Sequence, residues 1–400
     1  MVERVRGAWA KGNAALGVFI DLKKAFDTVD HRLLLLKLGH YGVRGGALAL
    51  LESYLGGRSQ YVVYGGCESG RGMVECGVPQ GSVLGPLFFL IYVNDMVKAC
   101  EGLDLVLFAD DTNIFAQDRD PEGLFRRVNV GLQGLARWFR CNRLTLNLKK
   151  TEYVYFGGPR GREVPEGGLW IGDGEVRRVP GARFLGVWVD EGLKWREHVG
   201  RVKGRVGQLL GVLWRARSVL GGRSLLSLYN GLVLPHLQYC LMVWGDFQGD
   251  RNGTLGGALL SYQKRFAGLI AGARGRRHAD PLLSRFGMLK VGDLYRQQLR
   301  LHGWRFWNRR LPENQAAMLE RVDGVHGYGT RSARGGMFLS TRDHRSVGYR
   351  VPKEWASLTD EQRAMGSLGG FKRVSRAGFL SVYASFRCAV RGCYVCGLNG

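Results

Sequence analysis

Residues 16–20 (LGVFI), 105–109 (LVLFA) and 112–116 (TNIFA) are apolar runs of strand length with aspartates at their ends: Asp21 after the first, Asp110 and Asp111 between the other two. A short continuous apolar run suits a strand buried in a sheet. Two such runs in close succession read as a hairpin, here with two acidic residues at its turn. Carboxylates held at the ends of apolar strands, buried or half-buried, need compensation, and a divalent cation is the most economical one. Two cations about 3.5–4 Å apart suit in-line phosphoryl transfer. Mg²⁺ fits such a site because it binds through few carboxylates plus substrate phosphates. An Asp-Asp pair is also what an ordinary acidic turn looks like, so the surroundings have to decide.

Those surroundings alternate helix and strand. Residues 31–38 read as a helix with Asp30 as N-cap and Gly39 after its last turn, and 47–55 as a second helix. Residues 60–64 and 72–77 look like paired strands before Pro79, and 86–99 (PLFFLIYVNDMVKA) like a helix packed under a sheet. A helix over 124–139 and strands at 153–156 and 184–189 follow, with a Gly/Pro-rich loop region between the two strands. Beyond Asp190 the clearest segments, 202–220 and 224–244, are helical. A sheet-and-helix domain is thus followed by a largely helical one.

Charge separates the same two parts. Residues 1–200 hold 26 Lys+Arg against 23 Asp+Glu, residues 201–400 hold 32 against 11, so the halves carry +3 and +21 of the total +24. A field of one sign concentrated in one region favours a polyanion, and phosphate backbones are the commonest such partner. No run of eighteen apolar residues and no signal-peptide pattern appears, which reads as an intracellular protein without a membrane partner. Eight cysteines in 400 residues are too sparse for a disulfide scaffold. Cys388, Cys393 and Cys396 have part of a zinc spacing without a fourth ligand, so structural zinc is not expected. Trp188, Trp195 and Trp214 sit among basic residues, where base stacking is conceivable and core packing is the expectation.

Five ordered segments carry a resemblance: FIDLKKAFDTVDH (19–31), GVPQGSVLGPLFFLIYVNDM (77–96), FADDTNIF (108–115), LTLNLKKTEYVYF (144–156) and FLGVWVDEGLKW (184–195). In order and spacing they resemble the palm motifs of non-LTR (LINE-type) retrotransposon reverse transcriptases. The likeness continues through WREHV (195–199), LYNGLVLPHLQYC (228–240), HGYGTR (326–331), VPKEW (351–355) and FKR (371–373).

The resemblance implies an α/β (α+β) fold: an antiparallel-sheet polymerase palm over 1–190, a helical thumb over 191–275 and a basic C-terminal region over 276–400. It implies RNA-directed DNA polymerisation with two Mg²⁺ ions, Mn²⁺ being a possible substitute, on an RNA template, a DNA primer and deoxynucleoside triphosphates. Asp21, Asp110 and Asp111 match the catalytic metal ligands, with the Leu22 carbonyl as an extra one. Phe26 matches the aromatic gate against a 2′-hydroxyl, although a core phenylalanine would look the same. Gln80 and Gly81 match the nucleotide- and template-positioning motif. Lys150 matches the lysine that protonates pyrophosphate, with Lys149 as the competing assignment and a solvated lysine as the plain one. Phe184, Leu185 and Gly186 match the primer grip. Only twenty residues precede Asp21, so the fingers and an endonuclease are expected to be missing. The rival reading is a catalytically inactive nucleic-acid-binding relic. A maturase or telomerase-like enzyme is disfavoured by HGYGTR and VPKEW.

Overall fold

All seven residues of Ala14–Ile20 are buried, and this strand, β1, is hydrogen-bonded on both sides. It belongs to a computed structural model that describes residues 1–158, 161–246, 254–273, 279–321, 336–338, 341 and 343–384. The chain divides into two units, Glu3–Lys194 and one that begins at Trp195.

In the first unit, α1 (Val2–Ala10) leads into β1, which is followed by α2 (His31–His40) and α3 (Gly45–Leu55). Four two-residue strands come next: β2 (Ser59–Gln60), β3 (Val63–Tyr64), β4 (Cys67–Glu68) and β5 (Gly72–Met73). Then come α4 (Leu84–Val93), β6 (Asp104–Phe108), β7 (Asp111–Asp118), α5 (Pro121–Cys141) and β8 (Glu152–Phe156). Two hairpins close the unit, β9 (Leu169–Ile171) with β10 (Gly174–Arg178) and β11 (Gly181–Phe184) with β12 (Val187–Asp190). Six strands form one sheet in the order β6-β7-β1-β8-β10-β9. Its pairs are antiparallel except β8 with β10. The chain leaving β8 returns first along the far edge as β9, and the hairpin then brings β10 back beside β8 in the same direction. The sheet is therefore mixed, not purely antiparallel.

Helix α5 covers this sheet because its apolar residues fall on one stripe: Leu124, Phe125, Val128, Leu132, Leu135 and Phe139 are buried. Asp120 caps it through the amides of Glu122 and Gly123, with Pro121 in its first turn. Phe125 meets the rings of Tyr153 and Tyr155 on β8, each at 5.9 Å. Each such side chain removed from water contributes about 1.5–3 kcal/mol.

Several sequence expectations shift by local physics. Asp30 does cap α2, accepting from the Leu33 amide at 2.8 Å, but the helix runs through Gly39, and the positive φ falls on Gly42. The expected strands at 60–64 and 72–77 shrink to short ladders pairing Ser59 with Met73 and Val63 with Glu68. The helix expected over 86–99 ends at Val93, and Asn94–Ala99 tightens into 3₁₀ geometry. The loop region after β8 contains β9 and β10, strands of three and five residues, too short to stand out by alternation. The single strand expected over 184–189 is a hairpin: Leu185 and Gly186 take φ of 45° and 83°, the double positive of a two-residue turn.

The second unit is mostly helical. Its helices are α6 (Arg196–Ala216), α7 (Gly222–Leu228), α8 (Leu234–Gln238), α9 (Leu241–Trp244), α10 (Thr254–Ile270), α11 (Asp280–Arg285), α12 (Val291–Trp307), α13 (Glu313–Ala316), α14 (Val347–Ala356), α15 (Asp360–Arg363) and α16 (Leu368–Ala384). The 224–244 run breaks at Tyr229–Val233, a π-helical turn. Pro235 has no N–H for the carbonyl one turn earlier, and the helix widens there. Glu354 of VPKEW accepts from Arg296 Nε and Arg300 Nε of α12 at 2.8 and 3.1 Å, while Trp355 is fully buried near Trp307 and Phe371. VPKEW and the Phe of FKR thus serve the core of this unit. Trp195 is buried as expected, but Trp214 is 54% exposed, with the Arg217 guanidinium 3.3 Å from its ring centre. HGYGTR and Cys388, Cys393 and Cys396 lie outside the described residues. No helix among the described residues is long and apolar enough to cross a membrane.

Candidate active site

Asp21 is the first residue past β1. The β1–β7 ladder ends with Ile20 opposite Thr112, so one further step sets Asp21 against Asp111. Asp111 in turn pairs with Phe108 across β6–β7, which leaves Ala109 and Asp110 as the two-residue turn. Asp110 therefore sits in the turn and Asp111 opens the strand, where the sequence suggested both at the turn. Ala109 has φ of 52°, a left-handed conformation usually left to glycine in such hairpins.

The three acids do not share one environment. Asp21 is half-buried, whereas Asp110 and Asp111 are exposed, so the expected burial applies to Asp21 alone. A two-residue turn has no neighbouring strand beyond it to exclude water. Even so, local desolvation, then the charges of Asp110 and Asp21, raise the Asp111 carboxyl above its ordinary value, with Arg183 opposing. Negative charge thus gathers at this end of the sheet, offset in part by Arg183.

Among the described residues, no three His, Cys, Asp or Glu side chains form a ready metal-binding cluster. The donors are hard oxygens and the charge excess is one a cation would relieve. Asp21, Asp110 and Asp111 consequently fit a divalent ion.

The segment after Leu144 clamps Asp21. Lys23 N–H donates to Thr145 O at 2.8 Å and Asn147 N–H to Asp21 O at 2.8 Å, around an antiparallel bridge between Leu22 and Leu146. The Leu22 carbonyl takes no part in that bridge. Asn147 Nδ2 donates to Asp21 Oδ2 at 2.7 Å, and Asp21 N–H donates to Thr151 Oγ1 at 3.3 Å. Lys149 and Lys150 are both exposed. The Lys150 amide donates to Asn147 O at 3.0 Å.

A second group assembles beside β1. Phe26 lies in a 3₁₀ turn, Ala25–Thr28, half-buried and stacked on Phe89 of α4 at 4.5 Å and 26°. The chain at 77–78 is stitched to this turn: Gly77 N–H donates to Val29 O at 2.7 Å and Val78 N–H to Phe26 O at 2.8 Å. Gly77 has φ of 88°, and a Cβ there would lie 2.8 Å from Asp27 O, so only glycine fits. Gln80 is exposed and donates from Nε2 to Asp27 Oδ1 at 2.8 Å. Gly81, at φ of 81°, has nothing within 4 Å of a Cβ position. Phe184 meets Phe19 of β1 edge-on at 6.2 Å, which brings the Leu185–Gly186 turn to the acid-bearing strand.

The residues that the resemblance assigns to catalysis, nucleotide binding and the primer grip all lie in the first unit. Asn147, Thr151, Asp27 and Arg183 were missed. All but Arg183 lie inside the motif segments, but nothing in a linear pattern tells which polar side chain turns toward which carboxylate.

Residues 2–189 match the family described as "Reverse transcriptase (RNA-dependent DNA polymerase)". The chain is 29% identical over 252 residues to the probable RNA-directed DNA polymerase from transposon X-element of Drosophila melanogaster, an alignment covering 61% of this chain and 27% of that protein. It is 28% identical over 249 residues to the RNA-directed DNA polymerase from mobile element jockey of Drosophila funebris, covering 60% and 27%. It is 28% identical over 234 residues to the Pol polyprotein of type-1 retrotransposable element R1 of Bradysia coprophila, covering 57% and 23%. With an acid-bearing sheet of this kind, residues 2–189 form a domain of the reverse transcriptase family. Within that class the chain carries a polymerase domain related to those of the non-LTR retrotransposons jockey, R1 and X-element. It spans about a quarter of the length of these relatives.

Proposed function

We propose that the first unit is the palm of this polymerase and that it extends a DNA primer on an RNA template inside the cell. The observation that carries the reading is the register, with Ile20 opposite Thr112 and Phe108 opposite Asp111, which leaves Asp21 and Asp111 at neighbouring strand ends and Asp110 in the adjoining turn. The primer 3′-oxygen attacks the α-phosphate of a deoxynucleoside triphosphate, a P–O bond forms, and the bond to pyrophosphate breaks. Asp21, Asp110, Asp111 and the Leu22 carbonyl would hold two Mg²⁺ ions, or Mn²⁺ in their place, which would supply charge stabilisation for the attacking and leaving oxygens.

The chain's own residues do the rest. Phe26, backed by Phe89, presents a flat wall where a 2′-hydroxyl would otherwise fit. Gln80, held by Asp27, and the open Gly81 line the path of nucleotide and template. Lys150 gives a proton to the departing pyrophosphate. Phe184, Leu185 and Gly186 hold the primer end. The helices after Trp195 act as thumb and basic extension, gripping the template–primer through its phosphates. The test is primer extension on an annealed RNA template with Mg²⁺ or with chelator. Template-directed extension that stops on chelation is expected, and extension indifferent to the metal or to the template overturns the reading.

A further inference from the structure

We infer that Asn147 is a positioning residue for Asp21, a role that rests on the polymerase reading of the site. The two residues touch at two points: the side-chain amide donates to Asp21 Oδ2 at 2.7 Å, and the main-chain amide donates to Asp21 O at 2.8 Å. The loop is closed from the other end. Asn147 O accepts from the amides of Lys150 and Thr151, both at 3.0 Å, and from Thr151 Oγ1 at 3.0 Å, while that same Oγ1 accepts the Asp21 amide at 3.3 Å. Asp21 is therefore enclosed by a five-residue turn at its N–H, its carbonyl and one carboxylate oxygen.

The consequence is chemical as well as mechanical. The carboxylate torsion is a broad, roughly two-fold well, so a free Asp21 would present either oxygen in many orientations. The amide fixes Oδ2 and leaves Oδ1 as the oxygen to face a cation. A neutral donor is the right kind for this task. A lysine or arginine in its place would also orient the carboxylate, but would cancel the charge that attracts the ion. Asp110 sits in a two-residue turn, so Asp21 is the acid of this site with a built orienting partner. The same turn carries Lys150, whose amide shares the Asn147 carbonyl. A displaced Asn147 would thus disturb the metal ligand and the proton donor together.

The experiment uses the full chain with Mn²⁺ as the probe, titrated by the electron paramagnetic resonance of free ion, beside single-turnover incorporation and thermal melting. Asn147→Ala should weaken Mn²⁺ binding by about 10–100-fold, the usual effect of losing a partner that orients a ligand. Its incorporation rate at saturating nucleotide should fall by at least about tenfold. Hybrid affinity and the melting midpoint should stay at wild-type values. Asn147→Ser, whose hydroxyl is too short to reach Oδ2, should behave alike and takes over if the alanine variant does not fold. Wild-type Mn²⁺ affinity in both variants, with Asp21→Asn still losing the ion, overturns the role of Asn147 and leaves the site intact. Metal loss that only accompanies a lowered melting midpoint in both variants also overturns it, making Asn147 a structural residue. Equal Mn²⁺ binding by wild type and Asp21→Asn overturns the site itself and the inference with it.

Discussion

At the scale of residues, the site joins groups with little in common except where the chain puts them. Phe26 and Lys150 illustrate the two kinds of role. Phe26 is proposed to act by shape, and it is stacked on Phe89 and half-exposed. Phe26→Val should raise the ratio of ribonucleotide to deoxynucleotide incorporation by about tenfold or more, the scale on which apolar contacts discriminate small groups. An unchanged ratio returns Phe26 to the core. Lys150 is proposed to act by charge, and it competes with a neighbour that is equally exposed. What separates them is the anchoring of the Lys150 amide to the carbonyl of Asn147. Lys150→Leu should slow single-turnover incorporation by about 100-fold or more, as loss of a general acid does, while Lys149→Leu should leave it nearly intact. The reverse ranking would reassign the proton donor. Both proposed roles come from fixed places in the motifs. Asn147 and Asp27 were not legible in the sequence, because their importance is a hydrogen bond to a residue 126 or 53 positions away.

At the scale of elements, long periodic segments read well and short ones did not. Helix α5 and strand β1 declare themselves by an apolar stripe and an apolar run, while β9, β10 and the β11–β12 turn depend on tertiary pairing or on left-handed residues such as Leu185, which no propensity anticipates. The polarity of β10 beside β8 is likewise set by how a loop returns, not by composition. The helical unit carries its own liability. His198 on α6 and His302 on α12 are buried, and burial, then Arg201 and Arg305 respectively, lowers each to about 4. Unfolded histidine titrates near 6.5, so between those values the unfolded chain binds more protons. The stability these two contribute is complete above about pH 6.5 and is lost as pH falls toward about 4. Each accounts for up to about 3 kcal/mol of that loss. Denaturant midpoints followed by helical circular dichroism should drop between pH 7 and pH 5, less steeply in His302→Gln. Equal midpoints at the two pH values would show that these rings are not held neutral by the fold.

For the whole molecule, charge and chemistry reside in different parts of the sequence. The three aspartates lie before residue 112, whereas +21 of the +24 charge lies after residue 200. Binding of an RNA/DNA hybrid should accordingly weaken steeply with salt. With about five to eight phosphates neutralised, log affinity should fall against log salt with a slope of about −4 to −7, measured by fluorescence anisotropy of a labelled hybrid. A slope near zero would remove the electrostatic account. Neutralising one aspartate should barely alter that binding, since its proposed partners are metal ions and not the duplex backbone. The most direct measurement is therefore the single-turnover incorporation of one deoxynucleotide opposite an RNA template, compared between the wild-type chain and Asp110→Asn at matched hybrid occupancy. The account predicts Mg²⁺-dependent incorporation by the wild type and a loss of about 100-fold or more in the variant, the scale of removing one electrostatic stabiliser of the transition state. Equal rates in the two proteins, or none in either at full occupancy, would contradict it.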